Sequence, residues 1–242
     1  MKICVAQTRP VKGHIPANIQ RHKKLTELAI SEGTDLIIFP ELSLTGYEPT
    51  LAEKLATDQE DSRFNVFQEL SNNGQVTIGV GVPVKSPVGI CIGMVLFQPH
   101  RNRQTYFKQY LHPDEEEFFV AGEGLTGLTV QKNYVALAIC YELSVPEHSE
   151  RASNNGAKIY IASVAKSGEG ADHATKTLSE IARKYSMTVL MSNCTGPCEG
   201  FEAEGRTSVW NTKGVLAAQL GNNTEGMIII DTCTGGIIEK TI

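Results

Sequence analysis

The chain has 242 residues, 41% hydrophobic and 20% charged, a balance that suits one large globular domain or at most two small ones. A net charge of −5 removes the basic footprint that nucleic-acid binding needs, and no run of about 18 apolar residues is present to span a membrane. The six cysteines are scattered through the chain, which suggests reduced thiols in place of a disulfide framework.

Met1 to Ala6 enters a strand-like run at once, without the apolar region of a signal peptide, so a cytoplasmic protein is expected. Lys2–Gln7 reads as the first strand. Ile15–Glu32 reads as a helix, stopped by Gly33. Asp35–Phe39 is a continuous apolar run, the mark of a strand buried on both faces, and Pro40-Glu41 ends it. Leu51–Ala56 and Ser62–Asn72 look helical. Gln75–Val84 and Gly89–Gln98 are strands joined by a hairpin-like connection, and Arg103–Phe107 is another. Leu111–Gly127 is a loop rich in acid and glycine, followed by a second hairpin, Leu128–Lys132 and Tyr134–Ile139. Pro146–Asn154 is a helix and Lys158–Ser163 a strand. His173–Tyr185 is the clearest helix, with Ala174, Leu178, Ile181, Ala182 and Tyr185 on one face. Thr188–Ser192 is a strand, and Thr207–Asn211, Val215–Leu220 and Met227–Asp231 form a terminal meander. No repeat or composition shift marks a linker, so residues 1–242 are read as a single domain. The alternation predicts α/β with a mixed sheet. The strand count favours two packed sheets with helices outside.

Three predicted strands end on reactive groups: Glu41, Lys108 and Cys140. In open α/β sheets, ligands sit beyond the carboxyl ends of the strands. A thiol on a strand-to-helix turn lies near N–H groups that no helical carbonyl satisfies, and these favour a thiolate or an oxyanion. A buried carboxylate has a raised pKa and can act as base. An ammonium can meet the oxyanion formed when a thiolate attacks a carbonyl, and the Tyr141 N–H is a second candidate donor. Taken singly, Cys140 also reads as a small buried hydrophobe, Glu41 as a strand-end ion pair and Lys108 as a solvated charge.

The stretches Phe39-Pro40-Glu41-Leu42-Ser43-Leu44-Thr45-Gly46-Tyr47, Tyr106-Phe107-Lys108 and Ile139-Cys140-Tyr141-Glu142 with Pro146-Glu147 resemble the three catalytic motifs of the nitrilase superfamily, the carbon–nitrogen hydrolases. The resemblance spans Lys2 to about Asp231. It implies a four-layer α-β-β-α sandwich of two mixed β-sheets flanked by helices. It implies Glu41 as general base, Lys108 as oxyanion stabiliser and Cys140 as nucleophile, and pairing into homodimers or higher homo-oligomers. A second glutamate is implied seven residues before a Pro-Gly or similar pair. Ala121-Gly122 takes that place, which points to Glu115, with Glu116 and Glu117 as neighbours. Tyr47, Tyr141, Glu142, Ser163 and Val164 are expected at the substrate. Two departures bear on the substrate: Ser144 replaces the arginine often found four residues after the cysteine, and Ser163-Val164-Ala165-Lys166 replaces an Asn-Trp pair.

Other patterns carry less. Gly122-Glu123-Gly124-Leu125-Thr126-Gly127 matches G-x-G-x-x-G but precedes a strand, where a dinucleotide site needs strand then helix. Ser163 and Lys166 match S-x-x-K without partner motifs. Cys194 and Cys198 lack the second ligand pair of a metal site. The expectation is a cysteine amidohydrolase, without metal or organic cofactor, cleaving an amide or carbamoyl bond of a small molecule through a thioester. Transfer of the acyl group to another acceptor, nitrile hydrolysis on the same site and a non-catalytic binding member of the fold are the alternatives.

Overall fold

The computed structural model describes residues 1–242. In chain order the strands are β1 (Lys2–Gln7), β2 (Leu36–Ile38), β3 (Thr77–Ser86), β4 (Gly89–Phe97), β5 (Gln104–Phe107), β6 (Gly127–Val130), β7 (Asn133–Ile139), β8 (Ile159–Val164), β9 (Thr188–Asn193), β10 (Thr195–Cys198), β11 (Phe201–Glu204), β12 (Ser208–Trp210), β13 (Leu216–Gln219), β14 (Gly226–Asp231) and β15 (Ile237–Thr241). The helices are α1 (Ile15–Ser31), α2 (Ala52–Leu55), α3 (Asn65–Gly74), α4 (Pro146–Asn154) and α5 (Gly168–Tyr185). One sheet has the order β15-β14-β1-β2-β3-β4-β5, the other β13-β12-β9-β8-β7-β6, and β10-β11 is a separate hairpin. Parallel pairing joins β1, β2 and β3 in the first sheet and β7, β8 and β9 in the second.

The period of two along each strand assigns its side chains to layers. Ile3, Val5, Leu36 and Ile38 meet Leu137, Ile139, Ile161 and Leu190 in a core between the sheets. The alternate residues Cys4, Ala6, Ile37 and Phe39 face outward, against α1 and α3. On the second sheet the outward residues mix small Ala136, Ala138 and Ala162 with the larger Tyr160, Met191 and Trp210, and α5 lays Ala174, Leu178 and Ala182 against them. Both sheets are therefore covered on both faces, which explains the unbroken apolar runs. The result is the α-β-β-α sandwich.

Four segments depart from expectation. The last strands are not one meander: β12 and β13 close the second sheet, whereas β14 crosses to the first and pairs antiparallel with β1. Helix α5 begins five positions before His173. Ser167 caps it, its hydroxyl accepting from the Gly170 N–H at 3.4 Å, but the glycines at 168 and 170 have low helix propensity and mask the first turn. The β10–β11 hairpin and edge strand β15 were not expected at all. No helix is long and apolar enough to cross a membrane.

Candidate active site

Glu41 follows β2. Pro40 donates nothing to a ladder, and the chain folds back over Gly81 of β3. A Cβ at Gly81 would stand 2.4 Å from the Pro40 carbonyl oxygen, so only glycine permits this approach. The Leu44 N–H then donates to the Gly81 carbonyl at 2.9 Å. This fold-back aims Glu41 inward, leaving it 2% exposed.

Lys108 follows β5 and is 0% exposed. Its Nζ donates to Glu41 Oε1 at 2.8 Å and to Glu115 Oε1 at 2.7 Å. Glu115 comes from a 3₁₀ turn, Pro113–Glu115. It also accepts from the Tyr47 hydroxyl on Oε1 at 3.0 Å and from the His112 N–H on Oε2 at 2.8 Å. Glu115 is buried while Glu116 and Glu117 are exposed. Only the first of the three carboxylates reaches the lysine.

Cys140 opens a 3₁₀ turn, Cys140–Ser144, at the end of β7. Its φ of +45° is left-handed, a conformation that costs a non-glycine residue about 1–2 kcal/mol. Glu142 holds the turn: its Oε2 accepts from the Ile139 N–H at 2.7 Å and the Tyr106 hydroxyl at 2.6 Å, and its Oε1 from the Gln109 N–H at 2.6 Å. One carboxylate thus ties the cysteine turn to residues on either side of Lys108. The first N–H groups of such a turn have no intrahelical acceptor, which leaves the Tyr141 N–H available to an oxyanion.

Burial raises the Glu41 carboxyl above the usual carboxylate range, with the Glu115 charge adding to the rise and Lys108 opposing it. Glu41 Oε2 has no hydrogen-bond partner although it is buried. The Cys140 thiol is near enough to couple to this carboxylate, but its one protein contact in hydrogen-bond geometry is the Ala165 carbonyl, at 4.0 Å. Burial, then the Glu41 charge, push the thiol up to about 11, and Lys166 and Lys108 pull it back. Burial alone would lower Lys108. The charges of Glu41, a Cys140 thiolate and Glu115 outweigh it, so the ammonium stays protonated.

Cys140 and Glu115 open into a cavity of about 380 Å³ whose walls include Tyr47, Tyr141, His112, Lys166 and Phe201. Glu41 and Lys108 lie behind this surface. Of the residues expected at the substrate, Tyr47 and Tyr141 line the cavity. Glu142, Ser163 and Val164 do not, and each for a physical reason. Glu142 is enclosed by its three donors. Ser163 points between the sheets, its hydroxyl donating to the Phe39 carbonyl at 2.8 Å. Val164 alternates outward into the core beneath α5. Lys166, Ser167 and the β10–β11 turn at Glu199 to Phe201 line the cavity instead. The strand-end position of Lys166 was the available signal for it; the hairpin carried none. Cys194 and Cys198 meet as a pair, Sγ to Sγ 3.9 Å.

The carbon-nitrogen hydrolase family model matches residues 2–238. The chain belongs to the carbon-nitrogen hydrolase family. Within it, the chain is similar to an (R)-stereoselective amidase of Pseudomonas sp, 27% identical over 164 residues, 66% of this chain and 59% of the amidase. It is also similar to a glutamine-dependent NAD(+) synthetase of Thermotoga maritima, 23% identical over 226 residues, 88% of this chain but 39% of the synthetase. The chain therefore spans about half the length of these curated relatives. Its fold is similar to that of an amidase from Nesterenkonia sp. AN1, solved with acrylamide added at the active-site cysteine. That likeness has a TM-score of 0.86 at 22% identity and covers 96% of this chain and 92% of that one.

Proposed function

We propose that this carbon-nitrogen hydrolase is a cysteine-dependent amidohydrolase. It cleaves an amide or carbamoyl bond of a small molecule through a thioester on Cys140, within one domain over residues 1–242. The observation that carries the reading is the buried Glu41–Lys108 pair directly behind a cavity lined by Cys140 and Glu115, with Lys108 bridging Glu41 and Glu115 and one Glu41 oxygen lacking any donor. The two relatives described above are named for an amidase activity and for dependence on glutamine, itself an amide.

Glu41 takes the Cys140 proton, and the thiolate attacks the carbonyl carbon. Lys108 and the Tyr141 N–H hold the oxyanion. Removing one such donor typically costs on the order of 10²–10³ in turnover. Glu41 then passes its proton to the departing nitrogen, the C–N bond breaks, and the acyl group stays on sulfur. The same carboxylate draws a proton from water, which attacks the thioester and releases the acid. Glu115 orients Lys108. These groups cover every step, so the proposal requires neither metal nor organic cofactor. A cavity of about 380 Å³ suits a small substrate. Acyl transfer uses the same intermediate with an acceptor other than water.

Two measurements test this. Cys140→Ala is expected to fold as the wild type and to lose turnover by on the order of 10⁴-fold or more; retained turnover rules out the thiol as nucleophile. Hydroxylamine added to a turning-over amide is expected to yield a hydroxamate. If mass spectrometry finds no acyl adduct on Cys140 and no hydroxamate forms, the thioester route is wrong.

A further inference from the structure

The cavity's charged groups divide sharply by whether they have a partner. Glu115 is bound by Lys108, Tyr47 and the His112 N–H. Asp114 faces His112 Nδ1 at 2.5 Å. Glu199 accepts from the N–H and hydroxyl of Thr50 at 3.2 and 2.8 Å. Lys166 is the only lysine or arginine on the cavity wall. Its ammonium has neither a carboxylate within ion-pair distance nor a hydrogen-bond acceptor, since no salt bridge or side-chain hydrogen bond includes it.

The backbone beneath that ammonium is fixed. The Lys166 N–H donates to Asn193 Oδ1 at 3.0 Å, and its carbonyl accepts from the Glu204 N–H at 3.1 Å. The stem runs beside Gly170, where a Cβ would come within 3.4 Å of the Lys166 Cβ. Half-buried at the end of β8, the residue sits close enough to Cys140 for its charge to act on the thiol. The N-terminus of α5 is not the anion site, because the Glu204 carboxylate already lies against Gly168 there. An unpaired cation anchored at its backbone, on the wall of a small cavity, is suited to receive a negative charge from the ligand.

We propose that Lys166 is a specificity-determining residue that binds a carboxylate carried by the substrate, at the end remote from the scissile amide. The substrate class is then a short acid amide rather than a neutral or aminated amide. This rests on the amidohydrolase reading and names the substrate for that site.

The test compares kcat/KM for succinamate with that for butyramide, its uncharged counterpart of similar length, in the wild type and in Lys166→Met, Lys166→Arg and Lys166→Glu. The wild type is expected to prefer succinamate. Because the Lys166 charge also acts on Cys140, Lys166→Met slows both substrates, so the readout is the ratio. That ratio is expected to fall roughly tenfold to a hundredfold, the range for a hydrogen bond to a charged group, and mainly through KM. Lys166→Arg is expected to keep most of the preference, and Lys166→Glu to reverse it toward β-alaninamide, which carries an ammonium. Wild-type turnover without preference for succinamate, or an equal fall for both substrates in Lys166→Met, overturns the proposal while leaving the hydrolase reading intact. Turnover of neither amide, with no acyl adduct on Cys140, overturns both.

Discussion

Two buried carboxylates flank the cysteine turn, and they are treated differently. Glu142 has a donor on every side: two backbone N–H groups and the Tyr106 hydroxyl. The network continues through His148, whose Nε2 lies 3.0 Å from Tyr106 Oη and whose Nδ1 lies 2.9 Å from Tyr160 Oη. Glu41 has an ammonium on Oε1 and nothing on Oε2. A buried polar atom left without a partner costs about 1–3 kcal/mol. The same residue type is a scaffold where its acceptors are saturated; where one is left open, it has the free acceptor that the proposed general base requires. Burial alone does not distinguish the two roles; the count of donors does.

Of the two carboxylates, the larger effect should come from removing the open acceptor's charge. Glu41→Gln preserves shape and leaves Lys108 paired with Glu115, so the fold is expected to persist. Turnover is expected to fall by on the order of 10²–10⁴, the usual worth of a general base. Alkylation of Cys140 by iodoacetamide should slow as well, since the thiol has lost the group that deprotonates it. Unchanged alkylation would mean that Glu41 is not the base. With Glu41 as the proposed base, its protonation should stop the reaction in the wild type, and burial raises that titration above the usual carboxylate range. The acid limb of the kcat/KM profile should therefore lie above that range and vanish in Glu41→Gln.

The contrast also explains what was legible in the residues. Glu41, Lys108 and Cys140 stood out together because each ends a predicted strand and their chemistries complement one another, although each taken singly had an ordinary structural reading. Glu115 came only from the resemblance, through its place before Ala121-Gly122; in the structure the His112 N–H donates to its carboxylate, and it is buried while Glu116 and Glu117 face water. Ser163 and Val164 sit beside the site in sequence but point elsewhere, because alternation along β8 sends neighbours to opposite layers, whereas Glu142 is drawn away by the three donors that enclose it. The β10–β11 hairpin was invisible, since Gly196, Pro197 and Gly200 give strands of four residues each and no periodicity. Edge strand β15 runs Ile237-Ile238-Glu239-Lys240-Thr241, five residues without the apolar–polar alternation that marks a strand. The crossing of β14 to the first sheet is a matter of tertiary pairing that no local pattern encodes.

On the saturated side the expected effect is on stability. Glu142→Gln keeps one acceptor oxygen but turns an amide N–H₂ toward donors, at a cost of about 1–3 kcal/mol. The pH dependence sharpens this. Burial pushes Glu142 up from 4.5 to about 7 against the pull of its donors, so between those values the folded state binds more protons than the unfolded. The contribution of Glu142 is present below pH 4.5 and is lost as pH rises toward 7. Burial, with the Arg151 charge, lowers His148 from 6.5 to about 4. Over that window the unfolded state binds more protons, and the contribution of His148 grows with pH. The two slopes oppose each other between about pH 4.5 and 6.5 in the wild type. Glu142→Gln removes one of them, so its urea-unfolding free energy should climb more steeply across that range. Parallel curves for variant and wild type would show that Glu142 does not titrate there.

The smallest expected effect lies where the two sheets meet. Ser163 in β8 donates to the Phe39 carbonyl, two residues before Glu41, and Ser192 in β9 donates to the carbonyls of Ala6 and Ile38 at 2.6 and 3.1 Å. These hydroxyls fix the sheet that carries Glu41 against the sheet that carries Cys140. Ser163→Ala leaves the Phe39 carbonyl buried without that donor, for about 1 kcal/mol, a fall of about 2–4 °C in Tm for a chain of this size. Glu41 then loses some of its fixed distance to Cys140, so kcat should drop a few-fold while KM stays constant, because no cavity wall has changed. A rise in KM at constant kcat would instead place the Ser163 hydroxyl on the substrate and remove it from the seam between the sheets.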